Sequence, residues 1–141
     1  MRPEDAVVPP HLPDHPTVRD DVLNYSCEVI DFDREAGGML RLLQERGLLD
    51  NTLVVMTSDN GWQLPRGLAN CYDSGTRIPL VLLWEARAQA GQRVDAFVSL
   101  TDLAATFLEA AGVALPEDMD SLSLLPLARG ETQPGRDAIF V

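Results

Sequence analysis

Two short apolar runs constrain the fold of this 141-residue chain more than any other feature. TLVVMT spans residues 52–57 and IPLVLLW spans residues 78–84, and neither run alternates between apolar and polar residues. Because a strand that is buried on both faces loses this alternation, the runs predict two central strands of a mostly parallel sheet. About 20 residues separate them, and a loop of that length inside a compact domain is usually functional or disordered.

A long amphipathic helix is predicted ahead of the first strand. It would begin after Thr17, whose hydroxyl is a good N-cap, and end near Gly47. Gly37 and Gly38 interrupt the pattern, which indicates a kink or a close packing contact there. Steps of three and four residues define the face predicted to be buried: Val22, Tyr25, Val29, Phe32, Ala36, Met39 or Leu40, and Leu43.

The remaining segments complete an α/β pattern. Residues 1–16 are rich in proline and should form an extended lead without a helix. Residues 99–102 predict the cap of a second helix, which ends at Gly112, and residues 123–130 predict a further helical turn. The last residues, AIFV, predict a buried strand. The apolar side of the second helix is predicted to be Leu103, Phe107, Leu108 and Ala111. The chain is therefore expected to form one incomplete α/β domain over residues 1–141.

Composition excludes several classes of function. The net charge is −11 and all 11 basic residues are arginine, which argues against nucleic acid or an anionic membrane as a partner. No apolar run is long enough to span a membrane, and the polar start does not resemble a signal peptide, so the compartment stays undetermined. Cys27 and Cys71 form no C-x-x-C pair, and two free, mostly buried thiols are favoured over a disulfide.

Asp59 and Asn60 are the candidate functional residues. They follow the first predicted strand directly, within TSDNGW. Asp-Asn-Gly is good turn chemistry, because Asn and Gly adopt positive φ at little cost. In open α/β sheets, however, ligands bind beyond the carboxyl ends of the strands, and both side chains carry hard oxygen donors suited to Ca²⁺ or Mg²⁺. A turn and a metal site both remain open from these residues alone.

Several motifs together resemble the sulfatase family of the alkaline-phosphatase-like superfamily. The closest stretches are GLLDNTLVVMTSDNG and CYDSGTRIPLVLLW, preceded by PPHLPDHPTVRDDVLNY and followed by SLTDLAATFLEAAG. The PRGLAN segment before YDSGTR is more similar to the heparan N-sulfatase branch than to the arylsulfatases. The resemblance implies a partial alkaline-phosphatase-like α/β fold and hydrolysis of sulfuric esters or sulfamates, with a sulfated small molecule or glycan as substrate.

The resemblance also implies which site residues are present. It makes Asp59 and Asn60 ligands of a divalent cation, usually Ca²⁺, with Mg²⁺ as the alternative. The family's formylglycine motif, C/S-x-P/A-x-R, has no counterpart around Cys27 or Cys71. The position of the family's sulfate-contacting Lys is held by Leu68, and Arg66 offers a substitute donor to an oxyanion. Residues 1–141 are therefore expected to be catalytically incompetent by themselves.

Other functions remain as alternatives. The chain could be a non-catalytic α/β module that associates through its open sheet edges, including with copies of itself. A phosphate-ester-processing relative of the same superfamily is the runner-up among enzymes. A phospho-receiver domain is disfavoured, because such domains need a Lys and this sequence has none.

Overall fold

The computed structural model describes residues 2–132 and 135–140. Four helices are present in this part of the chain: α1 (Pro16–Glu45), α2 (Asp73–Thr76), α3 (Asp102–Ala110) and α4 (Leu125–Ala128). Two strands, β1 (Val54–Thr57) and β2 (Leu80–Leu83), form the sheet, and 3-10 turns occupy Pro3–Asp5 and Leu49–Asn51. The two strands and the helices α1, α3 and α4 lie where the sequence predicts them, whereas α2 lies in the segment predicted to be a loop. The proline-rich lead is not wholly extended, because it contains the turn at Pro3–Asp5.

Helix α1 begins two residues earlier than predicted and runs unbroken through its two glycines. The N-cap is His15, not Thr17, and its Nδ1 accepts a hydrogen bond from the Thr17 backbone N–H at 3.3 Å. Gly37 and Gly38 do not end the helix, which continues through both to Glu45. Gly47 then terminates the helical path with φ of +64°, a conformation that glycine adopts without steric cost.

Most of the predicted apolar face of α1 is not covered by the described chain. Val22 is the one residue of the helix that is buried. Tyr25, Val29, Phe32 and Met39 are all exposed. Periodicity correctly identifies a face of the helix as apolar, but burial also requires a surface to cover that face, and the described residues do not supply one.

Strands β1 and β2 pair antiparallel, so the expectation of a parallel pairing is wrong. Val54 lies opposite Leu83 and Thr57 opposite Leu80. Parallel neighbours need a crossover element on a face of the sheet, whereas the segment between these strands contains only the single-turn helix α2. All four residues of β1 are half-buried. The missing alternation therefore reflects similar burial on both faces, not the direction of pairing.

The C-terminal half is organised around Asp102 at the start of α3. Its carboxylate accepts hydrogen bonds from the backbone N–H groups of Ser99 and Leu122, at 2.8 and 2.9 Å. Both terminal nitrogens of Arg136 donate to the same carboxylate, at 2.6 and 2.7 Å. Arg136 also pairs with Phe97 in an isolated antiparallel bridge. The carboxylate thus joins three segments that are distant in sequence.

The buried face of α3 differs from the predicted one. Ala105 and Thr106 are fully buried with Asp102, whereas Phe107 is exposed. Thr106 can be buried because its hydroxyl donates to the Asp102 carbonyl oxygen and accepts from the Leu124 N–H. The buried apolar residues of the described chain are Ala6, Val22, Leu49, Trp84, Ala105, Leu124 and Leu125.

Three further expectations are settled. Residues 138–140 form no strand and Phe140 is 98% exposed, so the predicted terminal strand is absent there, while Val141 lies outside the described residues. Cys27 and Cys71 are free, as expected, but both are exposed and not buried. No helix within the described residues is long and apolar enough to cross a membrane, as the sequence predicts.

Candidate functional site

The turn after β1 carries Asp59 and Asn60 into the loop of residues 58–79. The Ser58 hydroxyl donates to the Asn60 carbonyl oxygen at 2.7 Å, and Asn60 Nδ2 donates to the Gly61 carbonyl oxygen at 2.7 Å. Asp59 is exposed, and its carboxylate takes part in no hydrogen bond or ion pair with the described residues. Local hydrogen bonds therefore hold the turn around Asp59 while the carboxylate itself faces solvent.

Three glycines allow the loop to close on itself. The Gly61 N–H donates to the Gly75 carbonyl oxygen at 3.0 Å. A Cβ on Gly61 would lie 1.9 Å from the Ser74 carbonyl oxygen, and a Cβ on Gly75 would lie 2.3 Å from that of Asn70. A Cβ on Gly67 would lie 2.1 Å from the Trp62 carbonyl oxygen. Close contact between backbone segments therefore requires glycine at these three positions. Neither Asn60 nor Gly61 has the positive φ that the interpretation of Asp-Asn-Gly as a simple turn requires.

Arg66 occupies a strained and well-supported position in the same loop. Its φ is +67°, a left-handed conformation that is uncommon outside glycine. The Ser74 hydroxyl donates to the Arg66 carbonyl oxygen at 2.5 Å. The guanidinium carbon lies 5.2 Å from the centre of the Tyr72 ring, which is within cation–π range. These contacts orient a planar cationic group on an exposed loop.

The loop brings the sequence-predicted residues to a common turn. Gly61, next to Asn60, bonds to Gly75, while Arg66 bonds to the adjacent Ser74. Leu68, for which the sequence resemblance predicts the position of a Lys, is exposed, and its N–H donates to the Trp62 carbonyl oxygen at 2.8 Å. One folded loop, anchored on residues 74–75 of α2, therefore contains Asp59, Asn60, Arg66 and Leu68.

The donor set fits part of a hard-cation site. Asp59 provides a carboxylate, and the amide oxygen of Asn60 is left for a ligand because Nδ2 makes the bond to Gly61. In the part of the chain that the structure describes, no group of three or more His, Cys, Asp and Glu side chains could hold a metal ion. Ca²⁺ takes about six to eight oxygen ligands, so these two residues fit one side of such a site and further ligands would have to come from elsewhere.

Two contacts around the loop were missed by sequence reasoning. The Trp62 ring meets the Tyr25 ring edge to face, with centroids 5.6 Å apart and an interplanar angle of 79°, and so links the loop to α1. Trp62 Nε1 is buried without a hydrogen-bond partner among the described residues. His11 Nε2 lies 3.2 Å from the Pro65 carbonyl oxygen. Neither contact has a local sequence signal, because the partners are 37 and 54 residues apart.

Comparison with solved structures shows that this chain has an α/β fold of the alkaline-phosphatase-like type. A structure solved in complex with its substrate, D-glucosamine-2-N,6-O-disulfate, superposes with a TM-score of 0.71 at 32% identity, over 82% of this chain and 24% of that one. A sulfatase from Pseudoalteromonas superposes with a TM-score of 0.61 at 28% identity, over 83% and 26%. The predicted fold class is confirmed.

The family follows from the sequence comparisons. The sulfatase family model matches residues 9–113. Human N-sulphoglucosamine sulphohydrolase is 37% identical over 115 residues, which cover 81% of this chain and 23% of that protein. The chain therefore belongs to the sulfatase family, as the motifs predict. It spans less than a quarter of the length of this curated relative.

Proposed function

We propose that the chain forms part of a hydrolase of sulfuric esters or sulfamates, in which Asp59 and Asn60 contribute two ligands to a divalent cation. The observation that carries the proposal is the Asp59-Asn60 pair itself. Two hard oxygen donors lie at the exit of β1, in a turn held by hydrogen bonds from side chains to backbone carbonyl oxygens. Membership of the sulfatase family supports the reaction class. When bound, the cation would offset negative charge on the sulfuryl group.

Arg66 is proposed to contact the substrate's sulfuryl oxygens. The family's Lys has no counterpart at Leu68, and no Lys exists anywhere in this sequence. The support of Arg66 by Tyr72 and Ser74 favours a donor that is oriented before the anion arrives. The relatives of this chain are named after different sulfated compounds, among them N-sulphoglucosamine. We therefore propose a sulfated sugar as the substrate class of this chain.

Residues 1–141 alone are proposed to lack turnover. The sequence contains no C/S-x-P/A-x-R motif, so no residue in it can supply the family's nucleophile. Two ligands out of about six also predict weak cation binding, with a Kd on the order of millimolar. We therefore expect no hydrolysis of 4-nitrophenyl sulfate by the purified chain, with or without Ca²⁺.

The cation proposal can be tested without activity. Substoichiometric Mn²⁺, a paramagnetic stand-in for the hard dication, is added to ¹⁵N-labelled protein, and the broadening of amide signals is measured. We expect the amides of residues 58–61 to broaden first, because they surround the two donors. Asp59→Asn should abolish the preferential broadening of residues 58–61. The control is Asp33→Asn, which removes an exposed carboxylate on α1 and should preserve the broadening. Broadening that centres on other acidic residues, or that survives Asp59→Asn, would refute the assignment.

A second candidate, a non-catalytic association module, is favoured by one observation. The apolar face of α1 is uncovered in the described chain, although its spacing is that of a packed helix. This candidate does not exclude the first, since a face that associates with another polypeptide segment can belong to an enzyme.

A further inference from the structure

Asn60 and Gly61 form the one Asn-Gly pair in the sequence. The other asparagines, Asn24, Asn51 and Asn70, precede Tyr, Thr and Cys. An asparagine side chain is chemically labile, because the backbone nitrogen of the next residue can attack its amide carbon. Glycine leaves that nitrogen least shielded, since glycine has no Cβ. The sequence therefore makes Asn60 the asparagine of this chain that is most prone to spontaneous deamidation.

The packing of the loop requires the same glycine. A Cβ at position 61 would collide with the Ser74 carbonyl oxygen. Alanine at this position would shield the backbone nitrogen, but it would also prevent the close approach of the two backbone segments. The labile Asn-Gly pair is thus a consequence of the backbone contact that supports the turn around Asp59 and Asn60.

In the folded chain, hydrogen bonds hold both reacting groups. The N–H of Gly61, whose nitrogen would attack, donates to the Gly75 carbonyl oxygen at 3.0 Å. The amide nitrogen of Asn60, which would leave, donates to the Gly61 carbonyl oxygen at 2.7 Å. The Ser58 hydroxyl donates to the Asn60 carbonyl oxygen at 2.7 Å and so restrains the peptide group between the two residues. Because attack requires the Asn60 side chain to rotate and the Gly61 nitrogen to lose its proton, these bonds must open first.

We propose that Asn60 is a site of spontaneous self-modification, and that its reaction requires opening of the loop of residues 58–79. In the open loop, the Gly61 nitrogen loses its proton and bonds to Asn60 Cγ, the Cγ–Nδ2 bond breaks, and the amide group leaves as ammonia with that proton. One water molecule then opens the resulting succinimide at either carbonyl carbon. The product is an aspartate or an isoaspartate at this position. No electrons are exchanged, and water is the one co-reactant.

Either product changes the candidate cation site permanently. The neutral amide becomes a carboxylate next to Asp59, and the chain gains one negative charge. Isoaspartate also adds a methylene group to the backbone before Gly61, so Gly61 can no longer lie in register with Gly75. The reaction does not depend on the proposed hydrolase function, since it needs only the Asn-Gly pair and the loop around it. Its test can therefore fail or succeed independently of cation binding.

Peptide mass spectrometry measures the reaction directly. The full chain is incubated in mildly alkaline buffer, with and without guanidinium chloride, and the conversion of each asparagine is followed over time. Methylation by an isoaspartyl methyltransferase identifies the isoaspartate. In denaturant, Asn60 should react at least about 10-fold faster than Asn24, Asn51 or Asn70, because only its neighbour lacks a Cβ. Without denaturant, Asn60 should react at least about 10-fold more slowly than in denaturant, because opening of the loop costs free energy.

Two glycine variants separate the chemistry from the opening of the loop. Gly75→Ala should open the loop, because its Cβ would collide with the Asn70 carbonyl oxygen, but it leaves the Asn-Gly pair intact. Without denaturant, it should accelerate the reaction of Asn60 at least about 5-fold. Gly61→Ala disrupts the same loop but shields the attacking nitrogen. In denaturant, it should slow the reaction at least about 10-fold relative to the wild type.

The control is Gly38→Ala on α1, whose Cβ would make an ordinary 3.8 Å contact and which should leave the rate within about 2-fold. Circular dichroism checks that the variants keep their helix content. If Gly75→Ala does not fold, Ser74→Ala replaces it, because it removes the hydroxyl that donates to the Arg66 carbonyl oxygen across the loop. Equal rates in the folded and unfolded wild type, faster reaction at another asparagine, or a folded loop variant no faster than the control would overturn the proposal.

Discussion

Replacing Arg136 with methionine should destabilise the fold far more than removing an exposed arginine. Arg136 donates two hydrogen bonds to Asp102, whose side chain is fully buried, while 24% of the Arg136 side chain is exposed. Methionine keeps much of the packing volume but no donor. The variant therefore leaves a buried carboxylate with only the N–H groups of Ser99 and Leu122.

The magnitude follows from the burial of the pair. Removing one partner of a buried ion pair costs about 3–5 kcal/mol, because the remaining charge is uncompensated. Arg136 is partly exposed and two backbone donors remain, so the lower end, about 3 kcal/mol, is expected. A domain is commonly stable by about 5–15 kcal/mol, and this one has few buried apolar residues. The loss should thus remove a large share of the free energy of unfolding.

The pH dependence provides a separate readout of the same pair. Burial raises the pKa of Asp102, but hydrogen bonds from Arg136, Leu122 and Ser99 outweigh it and hold the pKa below its ordinary value. A carboxyl whose pKa is lowered by folding adds stability above its unfolded pKa of about 3.9, and that stability is lost as the pH falls through the folded pKa. In Arg136→Met the pKa should rise, so the difference in stability from the wild type should shrink as the pH falls below about 5.

Urea unfolding at about pH 7 and about pH 4 measures both effects. Arg93→Met is the control, because Arg93 pairs with Asp95 while both side chains are 81% exposed. The control should change the free energy of unfolding by no more than about 0.5 kcal/mol. If Arg136→Met behaved like the control at neutral pH, or if its deficit did not shrink in acid, the stabilising role assigned to Asp102 would be wrong.

Two further predictions concern glycines and a pair of carboxyl groups. Gly61→Ala should destabilise by about 1–3 kcal/mol in urea unfolding, because its Cβ would meet the Ser74 carbonyl oxygen at 1.9 Å. Gly38→Ala, whose Cβ would make an ordinary 3.8 Å contact, should instead stabilise by about 0.5–1 kcal/mol, and equal signs would contradict this reasoning. A hydrogen bond with Asp50 raises the pKa of Glu85, so its protonated form favours folding and stability falls as the pH rises through that pKa. Glu85→Gln should therefore raise Tm at about pH 7 and leave it unchanged at about pH 4, and a lower Tm at neutral pH would count against the pairing.

Local patterns predict the elements of this fold but not how they meet. The apolar runs mark β1 and β2 to within two residues, and Gly47 and Gly112 both take the positive φ expected after a helix. The direction of pairing was mispredicted, because two-sided burial is the same in parallel and antiparallel strands. Asp102 was expected to cap α3, and its bond from the Ser99 N–H agrees with that. Its pairing with Arg136 is a contact across 34 residues that leaves no trace in the local sequence.

The same distinction explains what the sequence reveals of the candidate site. Donor chemistry is a property of single side chains, so Asp59 and Asn60 stand out wherever they lie. The support beneath them is different, because it consists of backbone contacts between Gly61, Gly75 and their neighbours. A glycine that permits close approach looks like any other turn glycine in a sequence. The charge and spacing of the site residues can therefore be predicted from the sequence. The close backbone contacts that hold the turn around Asp59 cannot, because they depend on the absence of a Cβ at Gly61 and Gly75.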